Sequence, residues 1–202
     1  VPAEAKSGNA DVDDLNEVTL KLWAASQEQA GEGNLAWLPT VTARSVLVLG
    51  TASSGSAKKE FDTTFPFLAK KREKEYGGLL MAAGNDKLVL KTTSALWAKA
   101  GVKVRPTLMK AIDTNLGVKT FITPKDEPAV KINAWIASVT DGKVKDGVSA
   151  DTFKSDPPFV LTNAATIKGS WATGFKSARN VEGEFTLADA KTKVKVNFMQ
   201  QQ

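Results

Sequence analysis

The sequence predicts an α+β fold in a single domain. Stretches with helical apolar spacing and stretches that alternate apolar with polar follow one another in no regular order, which argues against a doubly wound sheet. Of the 202 residues, 42% are hydrophobic, enough to build a real core. Charged residues stand at 24%, close to the globular average, and no repeat, low-complexity tract or linker divides the chain.

Residues 1–11 are small and polar and read as a loose arm. From Asp13 to Ala30, Leu15, Val18, Leu22 and Ala25 recur at helical spacing, and Gly31 and Gly33 end the helix. Asn34–Pro39 reads as a short strand closed by its proline. Thr40–Thr51 reads as an apolar helix in which Arg44 is out of place, and Gly50–Gly55 as a Ser- and Gly-rich turn. Phe61–Gly84 mixes short helices with a charged run. Leu88–Ala98 alternates as a strand, and Arg105–Gly117 is a helix with Pro106 near its start. Glu127–Val139 is the clearest helix, because Ile132, Trp135, Ile136 and Val139 fall on one face; Gly142 stops it. Glu182–Met199 reads as two strands around a turn near Asp189.

Val160–Phe175 is odd. It opens like a buried strand with Val160 and Leu161, then fills with Thr, Asn and Ala where larger side chains are expected. On the residues alone, Thr162, Asn163 and Thr166 could simply face solvent on a half-exposed strand.

Two absences restrict the chemistry. Without Cys there are no disulfides, thiolates or Cys-ligated metals. Without His, Ser-His-Asp and Cys-His catalysis and most transition-metal sites are removed. The carboxylates are scattered through polar segments, and no phosphate-cradling GxxxxGK[ST] or GxGxxG occurs. The expectation is a protein that is not an enzyme and needs no cofactor. No apolar run reaches the roughly 20 residues of a membrane-spanning helix, and no membrane partner is expected.

The net charge of +5 is uneven: residues 1–60 hold 5 basic and 8 acidic groups, leaving 22 and 14 to the rest. Lys70, Lys71, Arg72 and Lys74 fall within five positions, interleaved with Glu73 and Glu75. Such a cluster can bind a sulfated polyanion by releasing its counterions, or can be a solvated helix face. Nucleic acid is not expected, since only Tyr76 offers a stacking ring nearby.

Ile132–Asp146 (INAWIASVTDGKVKD) and Leu161–Phe175 (LTNAATIKGSWATGF) together resemble the serpins, which typically show Ile-Asn-x-Trp-Val ending Thr-x-Gly-Lys-Ile, then Asn-Ala-x-x-Phe-Lys-Gly-x-Trp-x-x-x-Phe. The matching positions are Asn133, Trp135, Thr140, Gly142 and Lys143, then Asn163, Ala164, Lys168, Gly169, Trp171 and Phe175. The resemblance extends from about Leu15 to the last residue. It implies helices around a large mixed or antiparallel sheet, in which Val160–Ile167 is a central strand that must part to admit another. Small side chains there would leave few interlocked contacts to break. Asn163 would lie beneath the parting strands, in the region called the shutter, and Trp171 at the top of the sheet where insertion begins. The helix of Asn133 and Trp135 would lie across the sheet. The basic cluster falls near the helix that binds heparin-like glycosaminoglycans in some serpins.

Some positions depart from the pattern. Leu38 stands where the family has a shutter Ser, Arg44 where an apolar residue is expected, and Thr166 and Ile167 replace aromatic residues. The reactive loop of serpins lies far toward the C-terminus. Residues 1–202 are therefore expected to be the N-terminal portion of one serpin-like domain, incomplete without a C-terminal remainder, with the strands around Leu88–Leu96 and Val160–Ile167 lacking partners. The implied function is protease inhibition, against a serine or less often a cysteine protease, by loop cleavage and strand insertion; a non-inhibitory carrier, chaperone or storage protein is the alternative. An extracellular setting is expected, with an intracellular one left open.

Overall fold

The computed structural model describes residues 7–30, 37–81 and 88–201. Helix α1 (Ala10–Ala30) is followed by α2 (Pro39–Ala52), α3 (Gly55–Thr64), a 3-10 turn at Pro66–Lys70 and α4 (Glu73–Met81). Strand β1 (Leu88–Lys99), α5 (Pro106–Leu116), β2 (Val118–Thr123) and α6 (Pro128–Val139) come next. The long β3 (Phe159–Gly169) precedes a separate hairpin of β4 (Val181–Thr186) and β5 (Lys193–Phe198).

The main sheet is mixed, in the order β2-β1-β3. β1 runs parallel to β2, from Ser94 opposite Val118 to Lys99 opposite Thr123. It runs antiparallel to β3, from Leu88 opposite Gly169 to Ala98 opposite Phe159. Because side chains alternate across a strand, the sheet has two distinct faces. Leu96, Val118 and Leu161 pack toward α2 in a core with Val46, Leu47, Ile112 and Tyr76. Ala95, Trp97, Phe121 and Val160 face α6, where they meet Ile132, Ile136 and Trp135. The α6 stripe read from periodicity is thus the face that covers the sheet.

Four local readings change. Leu38 is no strand residue: it is the N-cap of α2, and Pro39 opens the helix, where its missing N–H costs nothing. The preceding residues 34–36, which shared that reading, and Gly31 and Gly33, which were to end α1, lie outside the described residues. The expected turn at Gly50–Gly55 is displaced, since α2 runs on to Ala52 and seats buried Gly50 against Leu68. β2 carries no strand signal in the sequence, because six residues with little alternation are too short to give one. Finally, β1 does not lack partners: it is bonded on both sides, and the unpaired outer edges of this sheet among the described residues are those of β3 and β2.

Candidate functional site

The unusual composition of β3 has a structural answer. Thr162 is only 6% exposed, and its hydroxyl accepts the indole N–H of Trp97 at 2.8 Å. It thus satisfies a buried donor that would otherwise be costly. Asn163 points to the opposite face and ties three elements together. Its Oδ1 accepts the Ser94 hydroxyl of β1 at 2.6 Å, and its Nδ2 donates to the Ser45 hydroxyl of α2 at 2.8 Å. Ser45 in turn donates to the carbonyl of Val41, so the chain ends in the helix backbone. A Leu or Phe at either place would leave the Trp97 N–H or the Ser94 O–H without its acceptor. The solvated-face reading therefore fails for Thr162 and Asn163.

Arg44, foreseen only as a misfit, joins the same network. It is 2% exposed, and its guanidinium reaches Leu80 O at 2.9 Å, Thr92 Oγ1 at 3.0 Å and Ser94 Oγ at 3.4 Å. Burial pushes its pKa down from the ordinary value. Leu38, one turn and a half earlier, contributes no side-chain cap to α2. The polar work of this region is done by Arg44, Ser45 and Ser94 instead. Ser94 belongs to no motif, and its signal in the sequence is only that Thr92-Thr93-Ser94 is as small and polar as its partner stretch on β3.

The helix over the sheet is anchored by the motif residues. Trp135 meets Trp97 edge-on at 5.7 Å, and Phe121 lies 4.8 Å from Trp97. Asn133 clamps the backbone of Val148 in both directions, donating to its carbonyl and accepting its N–H at 2.9 Å each. Thr140 is buried, donates to Ile136 O at 2.8 Å and accepts the Val144 N–H at 3.2 Å. Gly142, at φ 73°, turns the chain and bonds Ala137 O at 2.8 Å; Lys143 is exposed just beyond it. These residues fix how α6 ends and how the following loop returns to β3.

Trp171 and Lys168 are not in that network. Lys168 is exposed near the end of β3, and Trp171, past the strand, is 73% exposed with Phe175 edge-on at 5.7 Å. The basic cluster is divided. Lys70 is paired with Asp14 and Arg72 with Asp11, each at 2.7 Å, across to the start of α1. Lys71 and Lys74 are exposed without an ion pair among the described residues. The Tyr76 phenol, fully buried, donates to Asp14 at 2.8 Å. No group of three or more carboxylates able to hold a metal occurs among the described residues, and no described helix is long and apolar enough to cross a membrane.

Comparison with known proteins agrees with this architecture. A leukocyte elastase inhibitor of Xenopus tropicalis is 25% identical over 177 residues, which cover 84% of this chain and 47% of that protein. The reactive loop cleaved human thyroxine-binding globulin superposes with a TM-score of 0.79 at 20% identity, over 95% of this chain and 59% of that one. Native protease nexin-1 with heparin superposes at 0.77 with 18% identity, over 90% and 50% of the two chains. The chain thus spans about half the length of these relatives. The sequence model of the family described as Serpin (serine protease inhibitor) matches residues 13–202, and the chain belongs to that family.

Proposed function

We propose that residues 1–202 are part of a serpin-type protease inhibitor that acts by reactive-loop cleavage and strand insertion, with the loop and the later strands supplied outside these residues. The observation that carries this reading is β3. Its outer edge is unpaired among the described residues, and its inner contacts at Thr162–Thr166 are small side chains and hydrogen bonds, not interlocked bulk. Such a strand can change its neighbour at modest cost, and a strand gained there releases stored free energy. The protease would attack the loop to form an acyl-enzyme, and insertion of the cut loop would carry the enzyme into a distorted, trapped state. The exposed Trp171, just beyond β3, is where insertion would begin. Mixing the natural protein with a serine protease panel should give a complex that survives denaturing electrophoresis. Cleaved inhibitor alone, with no complex, would refute the reading.

A second reading is a non-inhibitory carrier, chaperone or storage protein. It is favoured by Leu38, which offers no shutter hydroxyl, and by the buried Arg44. Nicking the loop separates the two: a large rise in melting temperature supports the trap, an unchanged value the carrier. Polyanion binding at α4 is a subsidiary proposal resting on Lys71 and Lys74, because Lys70 and Arg72 already face carboxylates. A heparin affinity with a shallow salt dependence would fit so few free cations.

A further inference from the structure

Arg44 sits in the middle of α2 where an apolar side chain would fill the core at no electrostatic cost, and its Nε has no partner among the described residues. Among the described residues its charge is answered by no carboxylate. It is answered by a helix end. Leu80 lies in the last turn of α4, whose final carbonyls have no helical partner, and that turn contains no basic residue. Arg44 supplies from another helix the cation that the negative end of α4 attracts. The same guanidinium holds Thr92 and Ser94, which lie on one face of β1, and Ser94 passes the tie to Asn163 on β3. The Asn163 amide then returns to Ser45, the residue after Arg44.

We propose that Arg44 is a brake on sheet opening. It holds the β2-β1-β3 unit in register over α2 and α4, so these strands cannot shift to admit another without breaking its bonds. The inference rests on the strand-insertion reading given above. Apolar contacts between α2 and the sheet are non-directional and tolerate a slide, whereas the bonds of Arg44 and Asn163 are made in one register only. A partly unsatisfied buried cation is also poor glue, which fits a role in holding one arrangement better than a role in raw stability. Arg44 is a positioning residue, acting through Ser94.

The test uses the natural protein that contains residues 1–202, with Arg44→Leu, Arg44→Lys and Thr92→Val variants. The probe is a fluorophore-labelled extended peptide of Thr, Ala, Ser and Val, 11 residues long to match β3. Peptide uptake is followed by fluorescence, and amide exchange is measured at Thr92–Ser94 and Thr162–Ala164. R44L should take up peptide about tenfold faster, equivalent to about 1.4 kcal/mol of barrier, with faster exchange at both strands. R44K should be intermediate, and T92V should move the same way by less. If R44L melts lower but takes up peptide at the wild-type rate, Arg44 is only structural and the inference falls. Should R44L fail to fold, an unchanged rate in T92V overturns it equally. Uptake by wild type that R44L does not speed sinks the brake alone and leaves the insertion reading standing. If neither wild type nor variant takes up peptide, the insertion reading falls and the brake with it. Uptake by R44L but not by wild type supports the brake.

Discussion

Tyr76, the single tyrosine of the chain, is buried against Phe67 with its rings edge-on at 5.3 Å. Burial raises its pKa, the bond to Asp14 and the nearby charges of Asp14 and Asp11 add to this, and Arg72 opposes it weakly. The folded phenol therefore keeps its proton where an unfolded one, at about pH 10, releases it. Stability from this group is complete below about pH 10 and declines as pH rises above it, since the native state then binds more protons than the unfolded one. The difference spectrum between the natural protein and Tyr76→Phe should show no tyrosinate until the protein unfolds. The Phe variant should lose less stability in alkali, and an ordinary titration of Tyr76 in the folded state would refute this. Asn163 supports a second residue-scale prediction. Asn163→Ala takes the acceptor from the Ser94 O–H and the donor from the Ser45 oxygen and should cost about 2 kcal/mol, measured by denaturant unfolding.

At the scale of elements, close packing and turn geometry decide. α4 and α5 approach so closely at Gly77 that an added Cβ would stand 1.7 Å from the carbonyl oxygen of Asn115. That oxygen is backbone and cannot swing away. Gly77→Ala should therefore cost about 3 kcal/mol and lower the melting temperature, whereas an effect near zero would mean that the two helices part readily. The β4–β5 turn is organised by Asp189, whose carboxylate accepts the N–H groups of Lys191 and Thr192 at 2.9 and 2.8 Å and the Thr192 hydroxyl at 2.5 Å. These bonds hold its pKa below the usual carboxylate value. The turn then forces Ala190 to φ 55°, a left-handed conformation unfavourable for a residue with a Cβ. Ala190→Gly should raise stability by about 1 kcal/mol, seen as a higher melting temperature, and an unchanged or lower one would refute the strain. The turn near Asp189 was legible because Asp and a strand-turn-strand pattern stand together. The strain at Ala190 was not, because φ follows from the closure of the hairpin and leaves no mark in composition.

For the whole molecule, the described residues leave surfaces that a complete domain would cover. Ile167, Trp171, Phe185, Phe198 and Met199 are exposed, and the outer edge of β3 is unpaired among the described residues. Such edges and patches favour association. Residues 1–202 expressed alone should inhibit no protease and should scatter light at concentrations where the natural protein stays clear. A soluble monomer with a sharp thermal transition would contradict the second half of that prediction, and stoichiometric inhibition the first.

The sequence by itself determined the α+β class, the amphipathic α6, most element positions and the serpin resemblance. Each of these rests on local periodicity or on residues at short fixed spacing, which the chain displays directly. Asn163 was legible in the same way, as part of a motif. Only the tertiary structure decided the role of Arg44 and the choice of Ser94 and Ser45 as partners of Asn163. It also decided that Lys70 and Arg72 answer carboxylates of α1. Those contacts join residues 50, 69, 118 and about 60 positions apart. A buried cation reads in sequence as a misfit until the helix end and the strand hydroxyls that answer it are brought within bonding distance. That depends on how α2, α4 and β1 pack together, and no periodicity along any one of them encodes it.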